Sequence, residues 1–377
     1  MAKNINKKVY SEETLLKLDI FRECFREWFP VFLYNRYITN IYIYDFFAGS
    51  GTDVEGTFGS PLILLEEARG EKHQHCAHFQ QNKQKIAFAF NEAQKRKAKT
   101  LESKVNDFFS SCQENCEVTT NCPYKANCHF RHDDFQNLFE NEKFRNILAN
   151  PQYGKFIFLD QYGFKHVNES VFSVLANSPK TDFIFFITSS SIKRFQEHLV
   201  VKKYLKDKKI NFDESKPREC HRIMAQYFKS LLPISKEFYL HHFTILNRTN
   251  YYGLIFGTGH TLGMEKFLKV CWKHDPYAGE SNCNIFDDFE LGTLFYTTEE
   301  TNKIENIKSK LKEEILKSNI TTNISALKFV INEGGKLSLY LDLIQTLIKS
   351  GKIEIIGDFN RQISGIHTIK EYSFKAK

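Results

Sequence analysis

The chain has 377 residues, 42% of them hydrophobic, which is enough to bury the cores of two domains. No stretch approaches the roughly 18 apolar residues of a membrane span, and residues 1–18 lack the apolar core of a signal peptide, so we predict a cytoplasmic protein with no membrane partner. The formal net charge of +7 permits nucleic-acid binding without requiring it.

The first predicted element is a helix over residues 11–37, whose apolar residues recur at helical spacing until Pro30 breaks the pattern. These apolar residues are Leu15, Leu18, Phe21, Phe25 and Phe29. We interpret the segment as an amphipathic helix that packs on a sheet.

Seven predicted strands follow, each a short run of β-branched and aromatic residues with helical segments between. They are Ile41–Phe46, Ile86–Phe90, Cys128–Arg131, Phe156–Asp160, Thr181–Ile187, Phe243–Leu246 and Tyr252–Phe256. Strands that alternate with helices predict an α/β fold with a mostly parallel, doubly wound, Rossmann-like sheet. Ligands of such sheets bind beyond the carboxyl ends of the strands, so the informative residues should follow each strand.

The C-terminal part begins with a charged helix, Glu299–Lys317, and has the pattern of a winged helix-turn-helix. Its predicted elements are two helices and two short strands. They are Ser325–Asn332, Leu339–Ser350, Lys352–Ile356 and Gly365–Tyr372, with the tip of the wing at Asp358–Gln362.

The most informative motif lies where the first strand ends in Asp45 and turns through Phe46-Phe47-Ala48-Gly49-Ser50-Gly51. Glycines at this point let the backbone approach a ligand closely, although an ordinary strand-to-helix turn would have the same composition. The stretch resembles the first motif of class I S-adenosylmethionine (SAM)-dependent methyltransferases. The resemblance implies SAM contacts from this loop, and the residues concerned are Asp45, Phe47, Gly49, Ser50 and Gly51.

Acidic residues also follow the second and third strands. Glu92 is positioned to accept hydrogen bonds from both ribose hydroxyls, or else caps a helix at the surface. Asp133 or Asp134 could accept a hydrogen bond from the adenine amino group, and capping of the helix Phe135–Phe139 is the alternative. The spacing between the motifs does not choose between these interpretations.

The fourth strand leads to Asp160-Gln161-Tyr162-Gly163. A carboxylate can accept a hydrogen bond from an amine, and a neighbouring ring can stack on a flat substrate, so Asp160 and Tyr162 are the predicted catalytic residues. Methyltransferases that modify amino groups of bases carry Asp-Pro-Pro-Tyr or a similar motif here. This chain departs from that motif at Gln161 and Gly163.

Cys112, Cys116, Cys122 and Cys128 lie within 17 residues in an insert spanning residues 108–132. Thiolates this close together could hold zinc, or less readily an iron–sulfur cluster. Neither spacing matches a standard zinc knuckle, and a cysteine-rich loop in a reducing compartment is the alternative.

Taken in order, these motifs resemble the three-Cys-motif partner family. The matching stretches are Tyr44–Gly51, Gly59–Leu65, Phe158–Gly163 and Tyr251–Phe256, with Gly263 and Trp272 downstream. The resemblance implies a SAM-dependent methyltransferase domain followed by a winged-helix domain, and a separate partner protein of the radical-SAM type that carries three cysteines. The boundaries we predict are 1–37 for an N-terminal helical segment, 38–295 for the methyltransferase-like domain and 300–377 for the winged helix.

Two functions follow from this interpretation. The first is SAM-dependent methylation of a nitrogen in a nucleic-acid base, DNA or RNA, or a related planar acceptor. The second is a non-catalytic module that keeps the fold and binds nucleic acid or protein. Binding of SAM distinguishes them.

Overall fold

The computed structural model describes residues 8–81, 84–114, 116, 122–161, 166–188, 197–207, 219–247, 250–283 and 302–377. The predicted catalytic residue Tyr162 lies outside these ranges. Within them, every helix is too short or too polar to cross a membrane.

A seven-stranded sheet forms the centre of the molecule, with the strand order β3-β2-β1-β4-β5-β7-β6. Its strands are β1 (Asn40–Asp45), β2 (Lys85–Asn91), β3 (Cys128–Arg131), β4 (Tyr153–Leu159), β5 (Thr181–Thr188), β6 (Tyr239–Asn247) and β7 (Asn250–Thr258). The first five strands are parallel, and β7 runs antiparallel to both β5 and β6. The predicted strands and the mostly parallel, Rossmann-like sheet are confirmed.

Helices cover both faces of this sheet. Numbered along the described residues, they are α1 (Glu12–Leu33), α2 (Ser60–Arg69), α3 (Gln74–Gln81), α4 (Lys95–Glu114), α5 (Pro123–Ala126), α6 (Phe135–Glu140), α7 (Glu142–Ala149), α8 (Glu169–Asn177), α9 (Leu199–Asp207), α10 (Cys220–Ser230) and α11 (Thr261–His274). Side chains alternate across each strand, so Ile41 and Ile43 pack into the core on one face while Ile157 and Leu159 pack into the core on the other.

Helix α1 contradicts one prediction, because Pro30 lies inside it and does not end it. The helix continues to Leu33, and Trp28, Phe29 and Leu33 are all buried on the sheet. Burial of each large apolar side chain is worth about 1.5–3 kcal/mol, so the packed aromatic face offsets the hydrogen bond that proline removes.

The C-terminal part contains α12 (Asn302–Leu316), α13 (Asn323–Asn332), α14 (Leu337–Lys349), β8 (Ile353–Ile356) and β9 (Ser373–Ala376), with β8 and β9 antiparallel. The second strand was predicted too early, since residues 366–368 form a 3₁₀ turn and the chain becomes extended only where it pairs with β8. The element order is that of the predicted unit, and the winged-helix assignment itself stays a prediction.

This C-terminal part shares a continuous core with α1 and α11. The Trp272 indole donates a hydrogen bond of 3.0 Å to the Gly334 carbonyl, between α13 and α14. The ammonium of Lys303, on α12, lies 2.6 Å from the Glu280 carboxylate. Both Lys303 and Glu280 are almost completely buried, so α12 is fixed to the sheet by a desolvated ion pair.

Candidate cofactor and acceptor site

The register of the sheet brings the predicted site residues to one edge. Asp45 at the end of β1 lies beside Phe90 of β2 and Phe158 of β4, and Asn91 of β2 lies beside Arg131 of β3. The residues that follow these strands therefore occur at neighbouring positions along the edge, as the sequence predicts for a parallel sheet.

Asp45 is completely buried. The Ser60 hydroxyl donates to its Oδ2 at 2.6 Å, and the Phe47 amide donates to its Oδ1 at 3.1 Å. Burial raises the pKa of Asp45 to about 7 despite these hydrogen bonds, and the nearby Asp160 carboxylate raises it further. Asp45 thus fixes the start of the loop and of α2, whose first residue is Ser60.

Replacing Asp45 by asparagine should remove a pH dependence of stability. Because the folded chain holds the Asp45 proton up to about pH 7 while the unfolded chain releases it near 3.8, stability is present at low pH and is lost as the pH rises through about 7. The full effect is on the order of 4 kcal/mol. Urea unfolding between about pH 3.5 and pH 8 measures it. The free energy of unfolding of wild type relative to Asp45→Asn should fall over this range, whereas exposed Asp107→Asn should give parallel curves.

The glycine loop has backbone angles that require glycine. Gly49 and Gly51 have φ of 65° and 88°. A Cβ on Gly51 would lie 3.1 Å from Leu101 Cδ1 of α4, and one on Gly59 would lie 3.1 Å from the Gly51 carbonyl oxygen. Among the described residues, the amides of Gly49 and Gly51 donate no backbone hydrogen bond, so the loop after β1 keeps two donors without a backbone partner. A carboxylate or ribose fits such donors.

Asn91 is a positioning residue that sequence reasoning missed. Its buried amide donates to the Phe46 carbonyl at 3.2 Å and to the Asp133 carbonyl at 3.1 Å, and its Oδ1 accepts from the Asp133 amide at 3.1 Å. One side chain therefore joins the ends of β1, β2 and β3. The signal in the sequence is a polar residue, Asn91, at the end of a buried strand, but the adjacent acid Glu92 was the predicted ligand contact.

Glu92, Asp133 and Asp134 lie at the expected strand ends with their carboxylates engaged locally. Glu92 Oε1 accepts from the Gln94 amide at 2.8 Å. Asp134 is the N-cap of α6 and accepts from the Gln136 amide at 2.8 Å, the alternative interpretation for this residue. Asp133 is exposed and accepts from Asn137 Nδ2 at 3.0 Å, so it retains access to a ligand.

Asp160 forms an ion pair that the sequence did not predict. The Lys17 ammonium, on α1, lies 2.5 Å from Asp160 Oδ2 and 4.5 Å from the centre of the Phe186 ring. The Asp160 side chain is 28% exposed and the Lys17 side chain is 13% exposed. The sequence signal for this ion pair is a lysine on the apolar face of an amphipathic helix, since Lys17 is one turn before the fully buried Phe21.

Three aromatic rings form a group beside this edge. Phe47 stacks on Phe135 with centroids 5.5 Å apart and planes at 26°, and His166 lies 5.3 Å from each. Gln161 Oε1 accepts from the amides of His166 and Val167 at 2.9 and 3.1 Å, which fixes the segment before α8. Gln161 Nε2 is buried without a hydrogen-bond partner in the described part of the chain.

The predicted metal site is not assembled. A metal site needs at least three ligand atoms close together. Among Cys112, Cys116, Cys122 and Cys128, no three sulfur atoms lie within 4.8 Å of one another. In the described ranges, the ligand atoms of Asp19, Glu23 and His274 do lie that close. Cys112 Sγ instead lies 3.6 Å from His73 Nε2. Zinc and iron–sulfur binding by these cysteines therefore remain predictions without support from the geometry.

No protein-family model and no curated protein matches the chain. Among solved structures it is similar to an O-methyltransferase from Bacillus cereus in complex with SAH, with 12% identity over 66% of this chain and 91% of that one and a TM-score of 0.32. It is also similar to TrmK from M. capricolum in complex with S-adenosyl-homocysteine, with 13% identity, coverages of 81% and 93% and a TM-score of 0.28. A third similar structure is a METTL16 MTase domain, with 8% identity over 64% of this chain and 82% of that one and a TM-score of 0.30. Similarities this low leave the family open.

Proposed function

We propose that the protein is a SAM-dependent methyltransferase that methylates a nitrogen atom of a planar acceptor, such as a nucleic-acid base. The observation that carries the proposal is the ion pair between Asp160 and Lys17 at the carboxyl edge of the sheet. A carboxylate that holds an amine there, next to the glycine loop after Asp45, supplies the contact that a nitrogen acceptor needs.

The residues of the edge fit the cofactor. The Gly49 and Gly51 amides would hold its carboxylate or ribose, Glu92 its ribose hydroxyls and Asp133 its adenine amino group. When bound, SAM supplies an electrophilic methyl group on a sulfonium centre. Asn91 keeps the three loops in fixed relative positions, which is the preorganisation that such a site requires.

On the acceptor side, Asp160 would accept a hydrogen bond from the attacking amine and so keep its lone pair directed at the methyl group. The half-buried rings of Phe47 and His166, packed on the buried Phe135 ring, would offer faces for a flat substrate. An amine acceptor has to displace the Lys17 ammonium from Asp160. Tyr162, outside the described residues, stays part of the proposal as a stacking ring.

Partners also belong to this proposal. The three-cysteine radical-SAM-type protein rests on the resemblance of the motifs alone. For nucleic acid, the second helix of the predicted helix-turn-helix unit, α14, would be the recognition helix. It exposes Ser338, Asp342, Thr346 and Lys349, with a single cation among them. Because phosphate contacts require several lysines or arginines, we assign acceptor binding to the carboxyl edge and leave α14 to a protein partner.

Calorimetric titration with SAM tests the proposal, and two glycines in one loop provide a matched pair. Gly51 and Gly56 have φ of 88° and 87°, so alanine causes similar backbone strain at both. Only at Gly51 would the new Cβ meet a neighbour, Leu101, while Gly56 faces open space. SAM should bind with a dissociation constant below about 1 mM, and Gly51→Ala should weaken it at least about tenfold more than Gly56→Ala.

Failure of wild type to bind SAM would contradict the proposal and favour the non-catalytic binding module. If SAM binds, transfer of tritiated methyl groups to DNA, RNA and candidate partner proteins identifies the acceptor. Labelling of protein alone would overturn the choice of a base-like acceptor.

A further inference from the structure

We propose that a second cavity, at the edge of the sheet opposite the candidate active site, binds a small amphipathic anion such as an aliphatic or aromatic carboxylate. The cavity has a volume of about 440 Å³, within the range of ligand pockets in proteins. It lies between α1, the segment that leads into β5, the segment before β6 and the start of α11.

The cavity is separate from the candidate SAM site. Its lining includes Thr181 and Asp182, the first residues of β5, whereas Asp45 and Asp160 follow the carboxyl ends of β1 and β4. Since β1, β4 and β5 are parallel, the two sites lie at opposite edges of the sheet. A ligand here would not compete directly with SAM.

Two stacked aromatic pairs form the apolar walls. Trp28 and Phe32 of α1 have ring centroids 4.5 Å apart, and Phe256 and Phe267 have centroids 4.6 Å apart with planes at 14°. Trp28, Phe256 and Phe267 are at most 4% exposed, whereas Phe32 is half-buried, so a hydrocarbon chain or a ring would remove mainly apolar surface of Phe32 from water.

Two acids line the cavity, Asp182 and Glu237, and both already have partners. Glu237 lies 2.8 Å from the Lys328 ammonium and accepts a hydrogen bond of 2.8 Å from the Tyr239 hydroxyl. Asp182 is 6% exposed, and its Oδ2 accepts a hydrogen bond of 2.7 Å from the Trp28 indole. The Thr258 hydroxyl also hydrogen-bonds to it. A carboxylate that is occupied in this way gives little attraction for a cationic ligand.

The lysines of the cavity favour an anion. Lys180, Lys236 and Lys266 line it, and only Lys266 has a carboxylate partner among the described residues, namely Glu27 at 2.6 Å. Lys236 donates to the neutral Asn177 side chain. Lys180 and Lys236 thus have no carboxylate partner in the part of the chain that the structure describes, which matches a ligand with an anionic head on an apolar body.

Calorimetry with sodium decanoate and 4-phenylbutyrate tests this site, with neutral 4-phenylbutanol as the uncharged comparison. The two acids distinguish an aliphatic from an aromatic ligand. We expect either acid to bind with a dissociation constant below about 1 mM, and the alcohol to bind at least about tenfold more weakly. The double variant Lys180→Asn with Lys236→Gln should weaken acid binding about tenfold or more.

The control removes the same charge outside the cavity. Lys349→Gln with Lys375→Gln changes two exposed lysines of the C-terminal part and should leave acid binding unchanged. Leu262→Trp, which fills the cavity from its half-buried rim, should abolish binding while circular dichroism and the melting temperature remain near wild type. Equal binding of alcohol and acid, equal loss in both double variants, or retained binding in Leu262→Trp would each overturn the proposal.

Discussion

Replacing Asp160 by asparagine should reduce methyl transfer at least about 100-fold, while the affinity for SAM stays within about tenfold of wild type. Asparagine keeps the size of the side chain but loses the negative charge that the proposed amine donates to. The Lys17 ammonium, 2.5 Å away, loses its partner in the same variant. Single-turnover transfer of tritiated methyl groups, together with calorimetric titration of SAM, separates the two effects.

Two further variants make this result specific. Lys17→Met removes the competing amine and keeps the apolar stem, so it should lower KM for the acceptor without the loss in kcat caused by Asp160→Asn. Exposed Asp107→Asn removes the same charge elsewhere and should have wild-type kinetics. If Asp160→Asn abolishes SAM binding instead, Asp160 contacts the cofactor and its assignment to the acceptor is wrong.

The second large effect is expected on stability. Glu280→Ala should reduce the free energy of unfolding by about 3–5 kcal/mol, because it leaves buried Lys303 without a counter-ion. Glu280 Oε1 lies 2.6 Å from Lys303 Nζ, and its Oε2 lies 3.0 Å from Arg222 Nη2. Equilibrium urea unfolding, monitored by tryptophan fluorescence, measures the loss.

The interpretation of this loss depends on three comparisons. Glu280→Gln with Lys303→Met removes both charges and should recover much of the stability lost in Glu280→Ala. Glu313→Ala, at an exposed ion pair with Lys317, should change stability little. A full loss in the double variant would mean that packing, and not the uncompensated charge, is responsible.

The same ion pair gives wild type a defined acid sensitivity. Burial alone would raise the pKa of Glu280, but Lys303, with His242 and Arg222, outweighs burial and lowers it well below the usual glutamate range. A lowered folded pKa stabilises the protein above the unfolded value near 4.5, and this stability is lost as the pH falls from there toward the folded pKa. The difference between wild type and the double variant should therefore shrink below about pH 4.5.

Features set by neighbouring residues in the sequence could be predicted, whereas contacts between residues far apart in the sequence could not. The strands from β1 to β7 could be predicted because runs such as Ile41–Phe46 carry their own signal, and parallel order then brings Asp45 and Asp160 to one edge. The ion pair of Lys17 with Asp160 could not, since 143 residues separate the partners and each is an ordinary charged residue in its local sequence. Pro30 is similar, because the local rule was overridden by burial of the aromatic face of α1.

The role of Asn91 was missed for a different reason. Its hydrogen bonds go to backbone atoms of Phe46 and Asp133, and backbone atoms have no sequence signature. Sequence motifs therefore predict the edge of the sheet and its acids. The side chains that hold those acids in position, such as Asn91, are identified only by the three-dimensional structure.

The attachment of the C-terminal part has a consequence for access to the candidate site. Because Trp272 bonds to Gly334 and the Lys303–Glu280 pair is sealed in a shared core, this part cannot swing as a hinged arm without exposing buried charge. Within the described ranges, Lys17 in the first turns of α1 contacts the Asp160 carboxylate, so access to this carboxylate requires movement of Lys17 and not of the C-terminal part. On entry, the amine of a substrate would replace the Lys17 ammonium at Asp160 without a rearrangement of the domains.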